Sequence, residues 1–435
     1  MTADTWQVVA AVAVFAGAYV AIATEWVPRV QAALVGAGLM LVIGASNGEA
    51  AFFSEDSGID WNVIFLLLGM MIVVSVIKQT GLFEYLAVWA AKRARGRPYR
   101  VLVLLCVITA VASAALDNVT TVLLVAPVTL LVCDRIGVRP EAFLVAEALA
   151  SNIGGTATLI GDPPNIIIAS RGDLSFNDFL VNLAPVVVVL IGVFVLMSRW
   201  LFRASFTYDA QRAAAVMALD ERRAITDPRL LTRSMVVLAL ILVFFSLHTA
   251  LHVDPSVVAL LGAGVLVLVS GLSSQEFLED VEWETLVFFA GLFIMVGALV
   301  NIGVIEYLGE QAVDAVGGRY LLAGTGLLFG SAVVSGVVDN IPYVATMSPL
   351  VDDLVSSGDG STQASSLWWA LALGADLGGN ATAIGASANV VVTGIAARNG
   401  YPISFWQFTR YGLIVTAVTV SLCWPYLWLR YFVLA

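Results

Sequence analysis

Two aspartate-asparagine pairs, Asp117-Asn118 and Asp339-Asn340, and two glycine-rich stretches, "SNIGGTATLIGDPPN" from Ser151 and "ADLGGNATAIGASAN" from Ala375, hold the polar chemistry of an otherwise apolar chain. Asp162 falls in the first glycine-rich stretch and Asp376 in the second, with Glu147 one or two turns before the first. An ionised carboxylate at mid-membrane costs about 2.5–3.5 kcal/mol even on insertion scales, so each must be protonated, paired or bound to a cation. Gly154-Gly155, Gly161 and Pro163-Pro164 interrupt any helix that runs through them, because proline removes a donor and clashes with the preceding turn. Unwound backbone at membrane depth is tolerated only against protein or a wet cavity, where its carbonyls and amides become ligands. Thr156, Thr158 and Asn165 add side-chain oxygens there. No Gly-Lys-Ser/Thr follows the glycines, which excludes a phosphate-binding loop.

The basic partners for these acids are scarce. Lys78 stands near the end of its span and is placed to snorkel to the interface. Four or five acids with so few buried cations repel a multivalent anion and favour protons, sodium or an uncharged solute. Plainer readings stand beside this one. Asp117 and Asp339 suit helix N-caps, and Asp162 before two prolines suits a turn. Glu147 matches Leu371 in the later half, so a packing or hydrogen-bond role competes with a proton relay. His248 and His252 flank a loop and read as interfacial, as do Trp61, Trp283, Trp368, Trp369, Trp424 and Trp428.

The elements that position these residues follow from composition. Only 12% of the 435 residues are charged and 60% are hydrophobic, against roughly 25% charged in a soluble domain, so the chain is a multi-pass membrane protein. The expected location is the cell membrane. A net charge of −11 argues against nucleic acid as a partner. Cys106, Cys133 and Cys423 lie in apolar segments without metal-ligand spacing, and no nucleophile-histidine pair appears in the spans. We expect no enzyme activity, no cofactor and no fixed metal. The opening "MTADTWQ" has no positive region, so the first apolar run reads as a retained helix.

Internal similarity sets the architecture. "WNVIFLLLGMMIVVSVIKQTGLFEYL" from Trp61 aligns without gaps on "WETLVFFAGLFIMVGALVNIGVIEYL" from Trp283. "SAALDN" from Ser113 meets "SGVVDN" from Ser335, and Gly154, Gly155, Ala157, Thr158, Ile160, Gly161 and Asn165 recur as Gly378, Gly379, Ala381, Thr382, Ile384, Gly385 and Asn389. "ALVGAG" meets "ALLGAG" and "SFNDF" meets "SFWQF" in the same order, which means duplication. Basic residues crowd "AKRARGRPYR", "DRIGVRP" and the 199–233 stretch, which therefore face the cytoplasm, while "NGEAAFFSEDSGID" faces out.

The apolar run between the first two basic flanks leaves and returns on one side in arms of about 16 residues, roughly 24 Å against a hydrocarbon core near 30 Å. A re-entrant hairpin over 101–135 with Asp117-Asn118 at its tip fits; two thin full spans with an external turn are the alternative. The first repeat, 1–200, then holds spans near 5–24, 29–45, 61–80, a broken helix at 141–169 and 178–200. A cytoplasmic linker at 201–233 leads to the second repeat, 234–435, with spans near 234–252, 255–271, 283–302, a broken helix at 367–395, 404–430 and a hairpin over 320–354. Five crossings are odd, so the second repeat is inverted, its hairpin entering from outside between flanks such as "VDDLVSSGDGSTQASS". Inverted repeats with matching broken elements are the layout of secondary transporters.

"SNIGGTATLIGDPPNIII", "LDNVTTVLLVAPVTLLV" and "ADLGGNATAIGASANVVV" resemble the ArsB/NhaD/P-protein branch of the ion transporter superfamily, which also contains citrate and dicarboxylate carriers. The resemblance covers nearly the whole chain. It implies a homodimeric elevator, in which a transport block with two hairpins and two unwound helices slides against a scaffold. Its binding positions fall on Asp117, Asn118, Thr120, Asp339 and Asn340 at the tips, on Gly155, Thr156, Thr158, Asp162 and Asn165 in the first break, and on Asn380, Thr382 and Asn389 in the second. Dicarboxylate carriers favour a Ser-Asn-Thr tip; here aspartate takes the first place in both hairpins and Pro342 interrupts the second. The sodium/proton antiporter branch has an aromatic-rich break, unlike "GGTATLIGDPPN".

The expectation that follows is a proton- or sodium-coupled exporter of a metalloid such as arsenite or antimonite, whose neutral hydroxide suits an acidic, oxygen-lined pocket. No cysteine lies near the breaks to add a thiolate. An arsenite-type member would also imply a soluble ATPase subunit. The alternatives are a sodium/proton antiporter, then a di- or tricarboxylate carrier, and last an anion channel or a non-transporting scaffold.

Overall fold

The computed structural model describes residues 4–434 apart from 25, 55, 56, 219 and 359. Residues 1–3 of the opening stretch and three acids of the expected external loops, Glu55, Asp56 and Asp359, lie outside the described residues. The chain is all-helical, and eight of the described helices are long and apolar enough to cross a membrane.

The helices run in one order twice. In the first half come α1 (Thr5–Ala23), α2 (Arg29–Val42), the short α3 (Gly48–Phe53), α4 (Trp61–Lys78), α5 (Leu82–Arg93), the paired α6 (Pro98–Ala115) and α7 (Asn118–Ile136), then α8 (Glu141–Gly155), α9 (Pro163–Arg171), α10 (Phe176–Asn182) and α11 (Ala184–Leu201). After a connector containing α12 (Ala210–Met217), the series resumes with α13 (Pro228–Leu251), α14 (Pro255–Ser270), the short α15 (Ser274–Leu278), α16 (Trp283–Asn301), α17 (Val304–Val316), α18 (Tyr320–Ser335), α19 (Asn340–Ser356), α20 (Thr362–Gly378), α21 (Ser387–Arg398) and α22 (Phe405–Trp428). Local signals match as well. Gly81 (φ 76°) and Gly303 (φ 77°) make the same left-handed turn into α5 and α17. Ser175 and Ser404, from the two "SF" motifs, cap α10 and α22.

The halves interlock instead of folding apart. α4 packs on α14 and α16 on α2, while α7 packs on α21 and α19 on α9. Small residues allow these approaches. A Cβ on Gly69 would lie 2.7 Å from the Ala259 backbone, and one on Gly291 would lie 3.0 Å from Ala33. Within each half the first hairpin arm packs on the broken helix, α6 on α8 and α18 on α20. Those broken helices are the centre of the molecule: every residue from Phe143 to Gly155 and from Ser366 to Gly378 is buried.

A hairpin and two spans differ in where the tip lies. The arms α6 and α7 have 18 and 19 residues, longer than expected, so length alone allows a crossing. Yet Asp117 and Asn118 are 6% and 2% exposed, and the Asn118 amide donates to the Gly161 carbonyl at 3.1 Å. An external turn would leave that tip in water; it is instead plugged into the first break.

Two sequence expectations are corrected. Trp368 and Trp369 are buried and not interfacial, with Trp369 edge-on to Phe179 at 5.3 Å, because α20 is enclosed on all sides. The connector is shorter and more structured than a polar linker, since Asp227 caps α13 through Arg229 N (2.8 Å) and Leu230 N (3.0 Å). Those two donated bonds hold the Asp227 carboxyl below its usual range. The connector also straps one face of the first half: Lys92 pairs with Glu221, Arg212 donates to the Asp134 carbonyl at 3.0 Å, and Thr226 N donates to the Thr80 carbonyl at 3.1 Å.

A Cβ on Gly154 would lie 2.3 Å from the Ala110 carbonyl, so Gly154→Ala must push α8 off α6. We expect it to lower stability by about 1–3 kcal/mol, whereas Gly192→Ala, with open space around it, leaves stability unchanged. Unfolding midpoints in detergent check this; equal midpoints would mean the α6–α8 contact is not tight.

Candidate functional site

Each break is held by one set of bonds, made twice. A Cβ on Gly155 would lie 2.4 Å from the Gly161 carbonyl, and one on Gly379 would lie 3.0 Å from Gly385, so each break folds back on itself. The Asn165 amide donates to the Thr158 carbonyl at 3.0 Å, and Asn389 donates to Thr382 at 2.9 Å. Thr158 donates to the Ala114 carbonyl (2.6 Å) and Thr382 to the Gly336 carbonyl (2.7 Å), tying each break to the end of a hairpin arm. Ser113 and Ser335 do the same against Ser151 and Ala375, at 2.8 and 2.6 Å. The threonine hydroxyls thus spend their protons on backbone that an interrupted helix leaves unpaired. Thr156 likewise donates to the Asn152 carbonyl at 2.9 Å.

One side-chain network then joins both tips to both breaks. Asn118 Nδ2 donates to Asp162 Oδ2 at 2.9 Å and to Asn152 Oδ1 at 3.2 Å. Asn340, from the other hairpin, approaches the Asp162 carboxylate at 3.4 and 3.5 Å. Asn152 Nδ2 donates to Asn380 Oδ1 (2.9 Å) and Asn389 Oδ1 (3.0 Å). Asp162 does not cap α9, and its place between two amides answers the plain turn reading. Asp117 and Asp339 are caps, accepting from Thr120 N (2.8 Å) and Ile341 N (3.0 Å). Capping uses part of each carboxylate only. Asp376, Asp339 and Asp117 lie within electrostatic reach of Asp162.

Two placements differ from expectation. Asp376 lies in the last turn of α20, before the break and not within it, and its sequence counterpart is Asn152, while Asp162 is matched by Ala386. Both Asp376 oxygens are buried without a hydrogen-bond partner. Glu147 accepts from Thr129 at 2.6 Å beside Cys106 and Cys133, and no hydrogen bond among the described residues links it to the tips.

The site also contains residues that sequence reasoning passed over. Arg29, the first residue of α2, pairs with Asp339 at 3.3 Å, donates to Ser387, and lies over the Phe288 ring at 5.3 Å. It looks in sequence like an ordinary positively charged helix end. Asn152 carries no charge to draw attention, and only its alignment with Asp376 marks it.

A cavity of about 840 Å³ leads from Arg29, Glu282 and Thr285 to Asp339 and Ser387 at the second tip. It opens on the face of the arginine-rich connector, because Lys78, next to the connector's anchor at Thr80, pairs with Asp280 at 2.6 Å just before α16. A second cavity, about 530 Å³, opens on the opposite face between Asn62, Ser170, His248 and Asp254. The first cavity reaches the second tip at Asp339 and the second reaches the first break at Leu159, with the buried tips and breaks between them. Among the described residues no three His, Cys, Asp or Glu side chains cluster as a metal site.

Comparison with known proteins agrees with this geometry. The family pattern described as citrate transporter matches residues 19–374. An uncharacterized transporter of Mycobacterium tuberculosis is 58% identical over 98% of this chain and 99% of its own. A 46 kDa membrane protein of Mycobacterium leprae is 53% identical over 98% of this chain and all of its own. The P protein of Homo sapiens is 34% identical over 96% of this chain, which spans 59% of that longer protein. In fold, the chain resembles the crystal structure of the Alcanivorax borkumensis YdaH transporter, at TM-score 0.60 and 15% identity over 90% of this chain and 87% of that one. The duplicated helices, buried tips and matching family pattern lead to one assignment: this chain belongs to the citrate transporter family, and it is a multi-pass membrane transporter and not an enzyme.

Proposed function

We propose that the protein is a secondary active transporter that couples the movement of a small solute to a proton or sodium ion bound among its central carboxylates. The observation that carries this reading is the charge balance. Asp117, Asp162, Asp339 and Asp376 share the centre with one guanidinium, Arg29, so full ionisation of the four would leave three negative charges to neutralise. Each uncompensated charge costs about 2.5–3.5 kcal/mol at the bilayer centre. Cations remove that cost. The two halves act as inverted repeats, and the hairpins and breaks move together as the elevator's transport block, in a homodimer. The cavity on the connector's face then represents the cytoplasmic approach.

The same charge balance supports a cargo that brings no multivalent negative charge. Arsenite or antimonite, carried outward as a neutral hydroxide, is our first reading, with a soluble ATPase subunit as a further partner to test. Sodium/proton antiport is the second, favoured by the unpartnered Asp376. A free di- or tricarboxylate fits less well, because Arg29 is already engaged by Asp339.

Flux into proteoliposomes under imposed pH and sodium gradients tests the reading, with arsenite, sodium, citrate and phosphate compared. We expect cation-driven arsenite movement, and robust electroneutral sodium/proton exchange without arsenite would favour the antiporter. Cation-independent citrate uptake would overturn both. Asp117→Asn and Asp339→Asn should each cut coupled flux about tenfold, the effect of losing about 1.4 kcal/mol, while the protein stays folded; full activity in both would make these acids caps alone.

Arg29→Gln should destabilise the fold, since it leaves Asp339 unpaired, and adding Asp339→Asn should recover part of that loss. A double-mutant coupling of about 0.5–3 kcal/mol is expected. Additive effects on the unfolding midpoint would show that the ion pair contributes nothing.

A further inference from the structure

Arg29 is shared between two parts of the molecule. On one side it pairs with Asp339 at the second tip, at 3.3 Å, and donates to Ser387 at the start of α21. On the other it donates to the Thr285 hydroxyl at 3.4 Å and lies over the Phe288 ring, both on α16, the helix against which α2 packs. Glu282 stands just before α16, three residues ahead of Thr285, so the two share one side of the first turn. The Thr285 hydroxyl donates to Glu282 Oε2 at 3.0 Å, which leaves Arg29 one hydroxyl away from a second carboxylate. Glu282 Oε1 is buried without a hydrogen-bond partner. Buried acceptors are rarely left that way. Arg29, Glu282, Thr285 and Asp339 all line the cavity of about 840 Å³. The plain role for an acid at this position is a helix cap, and the other copy shows it. Asp60, matched to Glu282 through Trp61 and Trp283, caps α4 by accepting from Val63 N at 3.1 Å, and Ser170 donates to its other oxygen. Glu282 makes no such bond to α16. Pro255 takes the place matched to Arg29, so the other copy has the acids Asp60 and Asp117 there and no guanidinium.

We propose that Glu282 is the alternate partner of Arg29: when the second tip withdraws with Asp339, the guanidinium turns past Thr285 onto Glu282 and is held there for the tip's return. The inference rests on the reading of tips and breaks as a moving block, and deepens it by naming what replaces Asp339 on the side that stays behind. A guanidinium stripped of its carboxylate in a partly closed cavity remains desolvated and unpaired, and that cost would pin the tip in place. Glu282 offsets it, because one charge-assisted bond replaces another. α2 and α16 keep their packing, so only the Arg29 side chain has to turn. Glu282 acts through Arg29 and is a positioning residue. Glu284 lines the same cavity but is exposed, and serves as the control.

Unfolding midpoints of the purified full-length protein are measured for Arg29→Gln, Glu282→Gln and the two together, once with Asp339 present and once in Asp339→Asn. With Asp339 present the two shifts should nearly add, because Arg29 is engaged at the tip. In Asp339→Asn they should not add: Glu282→Gln lowers the midpoint only while Arg29 is there to use it. Glu282→Asp should keep part of that coupling, and Glu284→Gln should show none. Additive shifts in Asp339→Asn, or equal coupling with Asp339 present, would overturn the exchange. Flux is the second measurement, and it decides if Asp339→Asn shows no cooperative transition. With whichever of arsenite and sodium the wild type moves, Glu282→Gln should lower the maximal rate about tenfold and leave the half-saturating concentration unchanged. An unaltered maximal rate would overturn the proposal. The two readings fail separately. A wild type that moves neither removes the transport reading and leaves the stability coupling to be judged alone, whereas cation-driven flux with additive shifts removes the role of Glu282 alone.

Discussion

A carboxylate held at mid-membrane keeps its charge only if something positive stays with it, and the centre of this molecule depends on that constraint. Asp162 is served by amides from both hairpins, Asp339 by Arg29, and Asp117 by the start of its own helix. Asp376 has no cation beside it among the described residues, only the polar side chains of Thr156 and Asn165. The tips cannot rise toward water without giving up the bonds they make to the breaks, and the breaks cannot straighten without exposing backbone the tips satisfy. Tips and breaks are therefore one cooperative unit.

That unit is built from interlocked halves, which bears on how it could move. α7 leans on α21 and α19 on α9, so each hairpin is steadied by the broken helix of the opposite half. By contrast, Arg29 reaches the second tip from α2, which packs on α16 outside this unit. The Arg29–Asp339 pair is thus a polar link between the central unit and its surroundings. A sliding block would have to break it, and a cation or cargo that competes for Asp339 would make that easier.

Much of this arrangement was legible in the residues. Proline and glycine pairs marked both breaks, the aspartate-asparagine pairs marked both tips, and the repeated motifs gave the helix order. What escaped notice did so for physical reasons. Arg29 resembles any cationic helix end until a tertiary contact supplies its carboxylate. Asn152 is uncharged, and its importance comes from three side-chain hydrogen bonds that only the fold makes. Trp368 and Trp369 carry the pattern of an interfacial belt, but the belt rule concerns depth and not enclosure, and α20 is enclosed. Glu147 drew attention by its charge, although its hydrogen bond is to Thr129 and not to the tips.

Infrared difference spectroscopy of the purified protein addresses the need for a neutralising cation most directly, because a protonated carboxyl group absorbs apart from an ionised one. The account predicts a buried protonated-carboxyl band that grows as pH falls and is diminished either by added sodium or by rising pH alone. Carboxylates that stay ionised at every pH, with a spectrum indifferent to sodium, would contradict it.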